Sequence, residues 1–450
     1  MFIARRYAST AKNSSALMRA QLDIGGIVKN HAAYSNSILR RQTSPEIMEN
    51  LEFIKENRPI QLELSSQVNG YRHERSNLGE SMKKNPSPEV KLRLLEIKNL
   101  LKPLEAQEKA LTLEIYTRAE SLPNLLDSSV PKDPLEGQIS RLINCSSEQD
   151  AETSSPNTLG HKEIGERLGI MDFTTASRVS GSSWYYLIGD GALLEQALVQ
   201  YALSKTRKLG YKMVIPPSIV RSDIINACGF KPNDQNGEKQ IYQLEGEDTA
   251  LTGTAEIPLG ALHSSSIFDQ ETVFPLKYVG ISRAYRAEAG ARGKDTKGLY
   301  RVHEFTKVEL FHFTTPEISS EELENIKDLQ SDIIHELGLS AKMINMPTTD
   351  LGSPAMKKYD CESWMPGRGG WGELTSCSNC GDYQSRRLGI RYYDKDSTVK
   401  HVHTLNGTAM AVPRVIVAII EQNYDPETES ILIPPVLRPF MDDKEYIIKN

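Results

Sequence analysis

The sequence lacks any run of apolar residues near the roughly 18 needed to cross a bilayer, so we expect no membrane partner. It has five cysteines in 450 residues, an odd number that does not fit a disulfide framework and favours a reducing compartment. Its net charge of −6 excludes a general attraction to nucleic acid, so any RNA site must be a local basic surface. The length allows two or three domains.

Two common nucleotide-binding loops are also absent. The sequence has no G-x-x-x-x-G-K-[ST], because Gly293 and Lys294 are followed by Asp295. It also has no G-x-G-x-x-G between a predicted strand and a predicted helix. If the chain binds a nucleotide, arginines and backbone groups must therefore hold it.

Acidic residues are missing from the first twenty positions, and the first carboxylate is Asp23. Four basic residues and several serines and threonines occupy this segment, the composition of a mitochondrial transit peptide. We therefore predict that residues 1–20 are a presequence and that the protein resides in the mitochondrial matrix. A basic, frayed N-terminal tail is the alternative interpretation.

Two long helices are predicted within residues 43–118. Apolar residues recur there at alternating steps of three and four, at Leu64, Val68, Tyr71, Leu78, Met82, Val90, Leu94, Ile97, Leu101, Leu104, Leu111 and Ile115. This spacing is typical of a coiled-coil seam, and the Pro-rich residues 85–88 supply a turn. Residues 21–125 are therefore predicted to contain an antiparallel two-helix arm.

The outer half of this arm is basic. Residues 70–102 contain eight Lys or Arg and four Glu, a local charge of +4. Such a surface suits a phosphate backbone, although a solvated helix face has the same composition. The candidate RNA contacts are Arg72, Arg75, Lys83 and Lys91.

The rest of the chain has a different pattern. Residues 126–160 are rich in Ser, Pro and Glu and are predicted to be a linker. In residues 161–450, segments rich in Val, Ile, Tyr and Phe alternate with Gly and Pro breaks, too closely spaced for regular βαβ units. We predict an α+β fold whose mixed, mainly antiparallel sheet is flanked by helices at 195–209 and 318–337.

The densest group of candidate chemical residues surrounds a predicted strand–loop–strand hairpin. Arg286 has the planar fork that binds phosphate, Glu288 can accept the amine of adenine, and Phe305 can stack on a base. Because side chains alternate along a strand, Glu309 should face a polar site while its neighbours pack inward. A surface hairpin with cross-strand ion pairs is the alternative.

These residues resemble known motifs. Arg286-x-Glu288 followed by Phe305 resembles motif 2 of the class II aminoacyl-tRNA synthetases. The segment TAMAVPRVIVA, which contains Arg414, resembles motif 3, and residues 207–218 (RKLGYKMVIPPS) resemble motif 1. The resemblance implies a class II synthetase catalytic domain in residues 161–450.

Other segments resemble the seryl enzymes of this class. They are TAE at 254–256, RAEAGARGKDTKGLYRVHEF at 286–305, ELTS at 373–376 and HTLNGTAMAVPR at 403–414. The coiled-coil arm is a further similarity. The resemblance implies an enzyme that activates L-serine with ATP and transfers it to tRNA(Ser), whose variable arm and acceptor stem it would contact as a homodimer.

The resemblance also implies residue roles. The serine-binding residues would be Thr254, Ala255, Glu256, Arg286, Glu309, Asn406 and Thr408. The ATP-binding residues would be Arg286, Ala287, Glu288, Val302, Phe305, Glu373, Leu374, Thr375, Ser376 and Arg414. Glu373 would also bind Mg²⁺ through ATP, and the four basic arm residues would contact tRNA.

Three other functions compete with this interpretation. An inactive RNA-binding paralogue is disfavoured by the intact set of motif residues, and a ligase that loads a carrier protein is disfavoured by the arm. The arm also disfavours a synthetase for threonine or proline. Cys361, Cys377 and Cys380 are interpreted as buried thiols or, alternatively, as zinc ligands.

Overall fold

The structure is a computed structural model that describes residues 17, 20–230, 240–288 and 298–449. The predicted hairpin loop at 289–297 and almost all of the predicted presequence lie outside the described residues. Two compact units are present. The helical unit contains Gln21–Ser128 and Thr348–Ser353, and the sheet unit contains Ser129–Pro347 and Pro354–Asn450.

Helices occur in both units. In the described residues they are α1 (Ile24–Lys29), α2 (His31–Arg40), α3 (Pro45–Lys84), α4 (Pro88–Glu120), α5 (Glu148–Thr153), α6 (His161–Arg167), α7 (Phe173–Ser180), α8 (Asp190–Lys208), α9 (Ser222–Ala227), α10 (Glu256–Gly260), α11 (Ser319–Glu336), α12 (Tyr383–Leu388) and α13 (Val412–Asn423). Among these helices, none combines the length and apolar character needed to span a bilayer.

Strands occur in the sheet unit. In the described residues they are β1 (Gln138–Ile143), β2 (Met171–Asp172), β3 (Tyr186–Leu187), β4 (Lys212–Val214), β5 (Ile219–Arg221), β6 (Thr249–Leu251), β7 (Ile267–Phe268), β8 (Leu276–Tyr285), β9 (Glu304–Thr314), β10 (Ala341–Asn345), β11 (Lys357–Met365), β12 (Gly370–Asn379), β13 (Arg391–Tyr393), β14 (Val399–His401), β15 (His403–Ala411), β16 (Tyr424–Asp425), β17 (Ser430–Leu432) and β18 (Tyr446–Ile447).

The two predicted arm helices are α3 and α4. Each begins with a proline in its first turn, Pro45 or Pro88, where the missing N–H costs no helical hydrogen bond. Lys83 and Lys84 in the last turn of α3 complement the helix dipole. Both helices continue past an internal proline. The antiparallel hairpin predicted from the spacing is confirmed.

The seam between α3 and α4 contains the predicted apolar stripe. Val68, Ile97 and Leu101 are buried, and Tyr71, Leu78 and Leu104 are partly buried against them. A polar layer interrupts this seam, where the Ser65 hydroxyl donates to Glu108 Oε1 at 2.9 Å and Gln61 Nε2 donates to Thr112 at 3.2 Å. Paired hydrogen bonds allow these polar groups to be buried.

An eight-stranded sheet forms the centre of the sheet unit. Its strand order is β1-β10-β11-β12-β15-β9-β8-β4, and only the β4–β8 pair is parallel. The predicted mixed, mainly antiparallel sheet is therefore confirmed. The predicted helices at 195–209 and 318–337 correspond to α8 and α11.

Helices α8, α11 and α13 bury their apolar faces with this sheet in one core. Leu198, Ile326 and Ile419 from the three helices are completely buried with Val308 and Leu310 of β9. A glycine in β15 allows α11 to pack closely against the sheet. A Cβ atom on Gly407 of β15 would lie 2.5 Å from Ile326 Cγ2, which would force α11 away from the sheet.

The predicted linker, residues 126–160, differs from the structure. It contains β1, which pairs with β10 at one edge of the sheet, and α5. The Ser- and Glu-rich composition indicated a loop, but the free backbone edge of β10 provides hydrogen-bonding partners that composition does not reveal.

Candidate active site

The central strands carry the predicted motif residues. Strands β8 and β9 form the predicted hairpin, in which Ala284 is opposite Phe305, and Arg286 follows directly after β8. Strand β15 lies on the other side of β9, with Thr408 opposite Glu309. Arg414 lies in the first turn of α13, immediately after β15, so that sheet register brings the two motifs together.

A cavity lies where these elements meet. Its lining residues are Arg286, Glu288, Leu299, Tyr300, Arg301, Val302, Phe305, Lys307, Glu373, Leu374, Ser376, Thr408, Ala411, Pro413 and Arg414. The predicted ATP-binding residues therefore converge, apart from Ala287 and Thr375, which do not line the cavity. Thr375 is buried within β12.

Three arginines line this cavity, and two of them, Arg286 and Arg414, belong to the predicted motifs. The Arg286 guanidinium lies 5.2 Å from the centre of the Phe305 ring, and its Nε donates to Gly253 O at 3.4 Å. Arg414 Nη1 lies 3.1 Å from Glu373 Oε2. The arrangement places two fork-shaped cations and an aromatic ring around one space, as recognition of a nucleoside phosphate requires.

The charges in this cavity perturb one another. Burial and the neighbouring Arg414 guanidinium lower the pKa of Arg286. Burial opposes ionisation of Glu373, but Arg414, Lys358 and Arg286 together lower its pKa to about 2. The cavity thus holds excess positive charge beside one firmly ionised carboxylate, an environment that favours a polyanion.

The predicted serine-binding residues form a cluster in which two separate sets of hydrogen bonds occur and the charges of Glu256, Glu309 and Arg286 interact. Asn406 Nδ2 donates to Glu256 Oε1 at 2.9 Å, and the Glu256 N–H donates to the Thr254 hydroxyl at 3.2 Å. The Thr408 hydroxyl lies 3.5 Å from Glu309 Oε2. Ala255, at the start of α10, is completely buried. Thr408 also lines the nucleotide cavity, so the two candidate subsites are contiguous.

Two carboxylates of this cluster are buried close together. Burial and the charge of Glu309 raise the pKa of Glu256 to about 7. Burial also raises the pKa of Glu309, although Lys307 Nζ lies 2.6 Å from its Oε2 and favours the ionised form. A small cationic, hydroxyl-bearing ligand would find both charge and hydrogen-bond acceptors here.

Several residues of this site are not among those predicted from the sequence. Lys307 could have been predicted from the sequence, because it shares its strand face with Phe305 and Glu309. Arg301 lines the cavity and pairs with Glu288 at 3.1 Å. No sequence pattern marks Gln384, whose Nε2 donates to Glu256 Oε1 at 2.8 Å from another part of the chain.

Cys361, Cys377 and Cys380, the alternative zinc ligands, are buried. Burial raises the pKa of Cys361 and Cys377, and Asn406 Nδ2 lies 3.5 Å from Cys380 Sγ. Within the described residues, no group of three or more potential metal ligands comes together. All five cysteines are free thiols.

The four candidate RNA contacts lie in the helical unit. Arg72 Nε forms an ion pair with Glu105 Oε1 at 2.9 Å. Arg75, Lys83 and Lys91 are exposed on α3 and α4, and the last two flank the turn between these helices.

Comparison with known proteins finds a matching family model and similar relatives. The tRNA synthetase class II core domain (G, H, P, S and T) matches residues 240–423. The mitochondrial serine–tRNA ligase of Saccharomyces cerevisiae is 44% identical over 99% of this chain and 100% of that protein. The mitochondrial serine–tRNA ligase of Schizosaccharomyces pombe is 44% identical over 79% of this chain and 74% of that protein.

A solved structure extends the similarity to the fold. Seryl-tRNA synthetase from Pyrococcus horikoshii, crystallised in complex with ATP, has a TM-score of 0.86 and 34% identity, covering 95% of this chain and all of that one. Two observations agree. The chain is 44% identical to the Saccharomyces cerevisiae protein along that protein's full length, and the motif residues Arg286 and Arg414 line one cavity. The chain therefore belongs to the serine–tRNA ligase family of class II aminoacyl-tRNA synthetases.

Proposed function

We propose that this chain activates L-serine with ATP to seryl-adenylate and transfers the seryl group to the 3′ end of tRNA(Ser) for mitochondrial translation. The observation that carries this proposal is the meeting of Arg286, Arg414 and Glu373 in one cavity, contiguous with the Glu256–Glu309 cluster. An inactive paralogue would have no need to keep these buried charges together.

Activation joins the serine carboxylate to the α-phosphorus of ATP, and pyrophosphate leaves. Arg286 would stabilise the charge that develops on the α-phosphate, and Arg414 would hold the γ-phosphate. Phe305 would stack against adenine, beside Glu288. In the second step the terminal hydroxyl of tRNA attacks the seryl carbonyl and AMP leaves. Positioning and electrostatics suffice for both steps, without a covalent enzyme intermediate.

Serine selection would rest on the buried acceptors. Glu256 and Glu309 would hold the ammonium and hydroxyl groups, with Thr254, Asn406 and Thr408 around them. Alanine lacks the hydroxyl, so its binding would leave a buried acceptor without a partner, which is a strong basis for discrimination.

Mg²⁺ fits this cavity through one carboxylate. Glu373 is held ionised and lines the cavity with the arginines. Mg²⁺ commonly binds through one or two carboxylates and the substrate's phosphates. It would neutralise phosphate charge when bound, while Arg286 and Arg414 keep the phosphates oriented.

We place the tRNA contacts on the helical arm. The exposed Lys83 and Lys91, together with Arg75 and Arg72, give its outer half the cationic surface that a phosphate backbone requires. This surface would take the variable arm of tRNA(Ser), while the acceptor stem reaches the catalytic cavity.

Homodimer formation is supported by an exposed apolar surface at the motif 1 segment. Strand β4 is an edge of the main sheet; Met213 within it is 46% exposed, and Ile215, which follows it, is 79% exposed. Tyr186, Ile188 and Ile219 are also exposed. Exposed apolar patches commonly mark protein interfaces. A second copy of this chain would cover the apolar surface at the motif 1 segment.

The test of the proposed function is serine-dependent ATP–pyrophosphate exchange. Arg286→Ala and Arg414→Ala should each lower exchange by at least about a hundredfold, because each removes a cation from the developing phosphate charge. Arg141→Ala is a matched control, since Arg141 is a half-exposed arginine of β1. Near-normal exchange in either cavity variant, with the fold confirmed by circular dichroism, would refute the assignment.

A further inference from the structure

A buried pair outside the predicted site residues joins the nucleotide cavity to the rest of the sheet unit. His161, the first residue of α6, lies with its Nδ1 2.7 Å from Oε1 of Glu421 in the last turns of α13. The Glu421 side chain is 1% exposed and that of His161 is 10% exposed. Neither residue belongs to the three synthetase motifs.

The hydrogen bonds of His161 define its tautomer. The Leu299 N–H donates to His161 Nε2 at 2.9 Å, so this nitrogen must be unprotonated. The remaining ring proton is therefore on Nδ1, which donates it to Glu421. A neutral imidazole thus acts as a two-ended link between a carboxylate on α13 and the backbone at Leu299.

Glu421 ties three segments together. Its Oε1 also accepts from the His161 N–H at 3.0 Å, and its Oε2 accepts from the Gly367 and Arg368 N–H groups at 3.0 and 3.3 Å. Residues 367 and 368 form the turn between β11 and β12. With four donors, the carboxylate can remain buried without an uncompensated charge.

The link ends at Leu299, which lines the nucleotide cavity together with Tyr300. Gly298, before Leu299, has φ +82°, and a Cβ atom there would lie 2.1 Å from His161 Nε2. Tyr300, after Leu299, accepts from the Glu373 N–H at its hydroxyl, 3.1 Å away. Its carbonyl lies 3.4 Å from Arg414 Nε, and its ring lies 4.8 Å from the Arg414 guanidinium.

We propose that His161, held by Glu421, is a positioning residue for ATP binding. It anchors Leu299, so that Tyr300 packs under Arg414 and supports Glu373. The proposal rests on the proposed function, in which this cavity binds ATP. In the serine cluster, Glu256 is held by different residues, Gln384 and Asn406. Loss of the His161 link should therefore weaken the binding of ATP and not that of serine.

Two substitutions at His161 each remove one of its two side-chain hydrogen bonds and keep the other. In His161→Asn the amide nitrogen can replace Nδ1 as the donor to Glu421, but the acceptor for Leu299 is lost. In His161→Gln the longer side chain can replace Nε2 as the acceptor, but the bond to Glu421 is lost. His335→Asn is the matched control, because His335 is an exposed histidine that is also hydrogen-bonded, to Asn144.

The measurements are the ATP dissociation constant by calorimetry, the KM for serine in the exchange assay, and the melting temperature, all on the full chain. His161→Asn should weaken ATP binding about tenfold, the effect of losing one buried hydrogen bond, while the KM for serine stays unchanged. His161→Gln should bind ATP more tightly than His161→Asn. His335→Asn should match the wild-type chain.

Unchanged ATP binding in folded His161→Asn would overturn the proposal, as would an equal loss for ATP and serine with a lower melting temperature. If His161→Asn does not fold, Glu421→Gln decides, because it removes acceptors from the same link and should weaken ATP more than serine. Wild-type protein that binds no ATP would instead refute the proposed function itself, and this inference with it.

Discussion

At the residue scale, the candidate serine site contains two buried carboxyl groups, one held by neutral amides and the other by a lysine. Glu256 accepts from both Asn406 and Gln384, and Glu309 is paired with Lys307. Each carboxylate thus keeps its orientation before a ligand arrives. Such preorganisation is what a small polar substrate needs, because it offers few contacts of its own.

The raised pKa of Glu256 predicts how serine binding depends on pH. A carboxyl group with a pKa of about 7 becomes ionised as the pH rises through that value, and its ionised form attracts the serine ammonium. The KM for serine, measured in the exchange assay, should therefore fall between about pH 6 and pH 8. Below this range Glu256 is protonated and binding is weak.

Glu256→Gln is the control for this prediction. The amide has the same shape but cannot ionise, so the KM for serine should be high and nearly independent of pH over the same interval. Glu309, whose pKa is also raised by burial, is present in both proteins, so the difference between their pH profiles isolates the contribution of Glu256. A wild-type KM that stays constant from pH 6 to pH 8 would show that Glu256 does not hold the ammonium.

At the element scale, one strand provides for both stability and chemistry. In β9, Val308 and Leu310 are completely buried in the core, whereas Lys307 and Glu309 form their ion pair on the other face. Strand alternation alone predicts this division. The neighbours β8 and β15 then bring Arg286 and Thr408 to the polar side, an outcome set by their register with β9.

The arm permits a prediction at the same scale. Replacing Lys83 and Lys91 by Ala should raise the KM for tRNA and leave serine-dependent exchange unchanged, because these exposed side chains lie outside the sheet unit. Each lost phosphate contact should also lower the salt dependence of tRNA binding by about one counterion. The measurements are aminoacylation kinetics and binding across a range of salt concentrations.

Lys55→Ala with Lys109→Ala is the charge-matched control, since both residues are exposed on the base half of the same two helices. Arg72 is less suitable, because its ion pair with Glu105 ties its loss to arm stability. An equal fall in exchange and aminoacylation in the Lys83 and Lys91 variant would identify the arm as structural. Equal effects of the two variants on tRNA would contradict a role confined to the outer half.

At the scale of the whole molecule, charge is separated between regions. The chain has a net charge of −6, yet residues 70–102 carry +4 and the first twenty residues carry no acid. An acidic body repels nucleic acid generally, so we expect tRNA binding to depend on the basic arm. The basic N-terminal segment has a different predicted role, as a mitochondrial presequence.

Deletion of residues 2–20 should leave the purified enzyme active in aminoacylation but keep it in the cytosol of a eukaryotic cell. The reason is that every candidate site residue follows this segment. A full-length variant with its four basic presequence residues replaced by Gln is the control that separates charge from length. Cell fractionation measures the location of both variants. Import of either variant into mitochondria would count against the predicted presequence.

The sequence by itself determined the elements and the chemistry of this protein. Heptad spacing predicted α3 and α4, alternation predicted the two faces of β9, and local motifs contained Arg286 and Arg414, two of the three arginines that line the nucleotide cavity. These features depend on residues close together in the chain, where the geometry of helices and strands makes spacing informative.

Only the tertiary structure decided which distant residues support them. Gln384 reaches Glu256, and the link from Glu421 through His161 reaches Leu299, across separations of 128, 260 and 138 residues. It also decided that β1 in the predicted linker completes the sheet. The physical reason is that a buried polar group must find a partner, and the packing of the whole chain determines which partner is near.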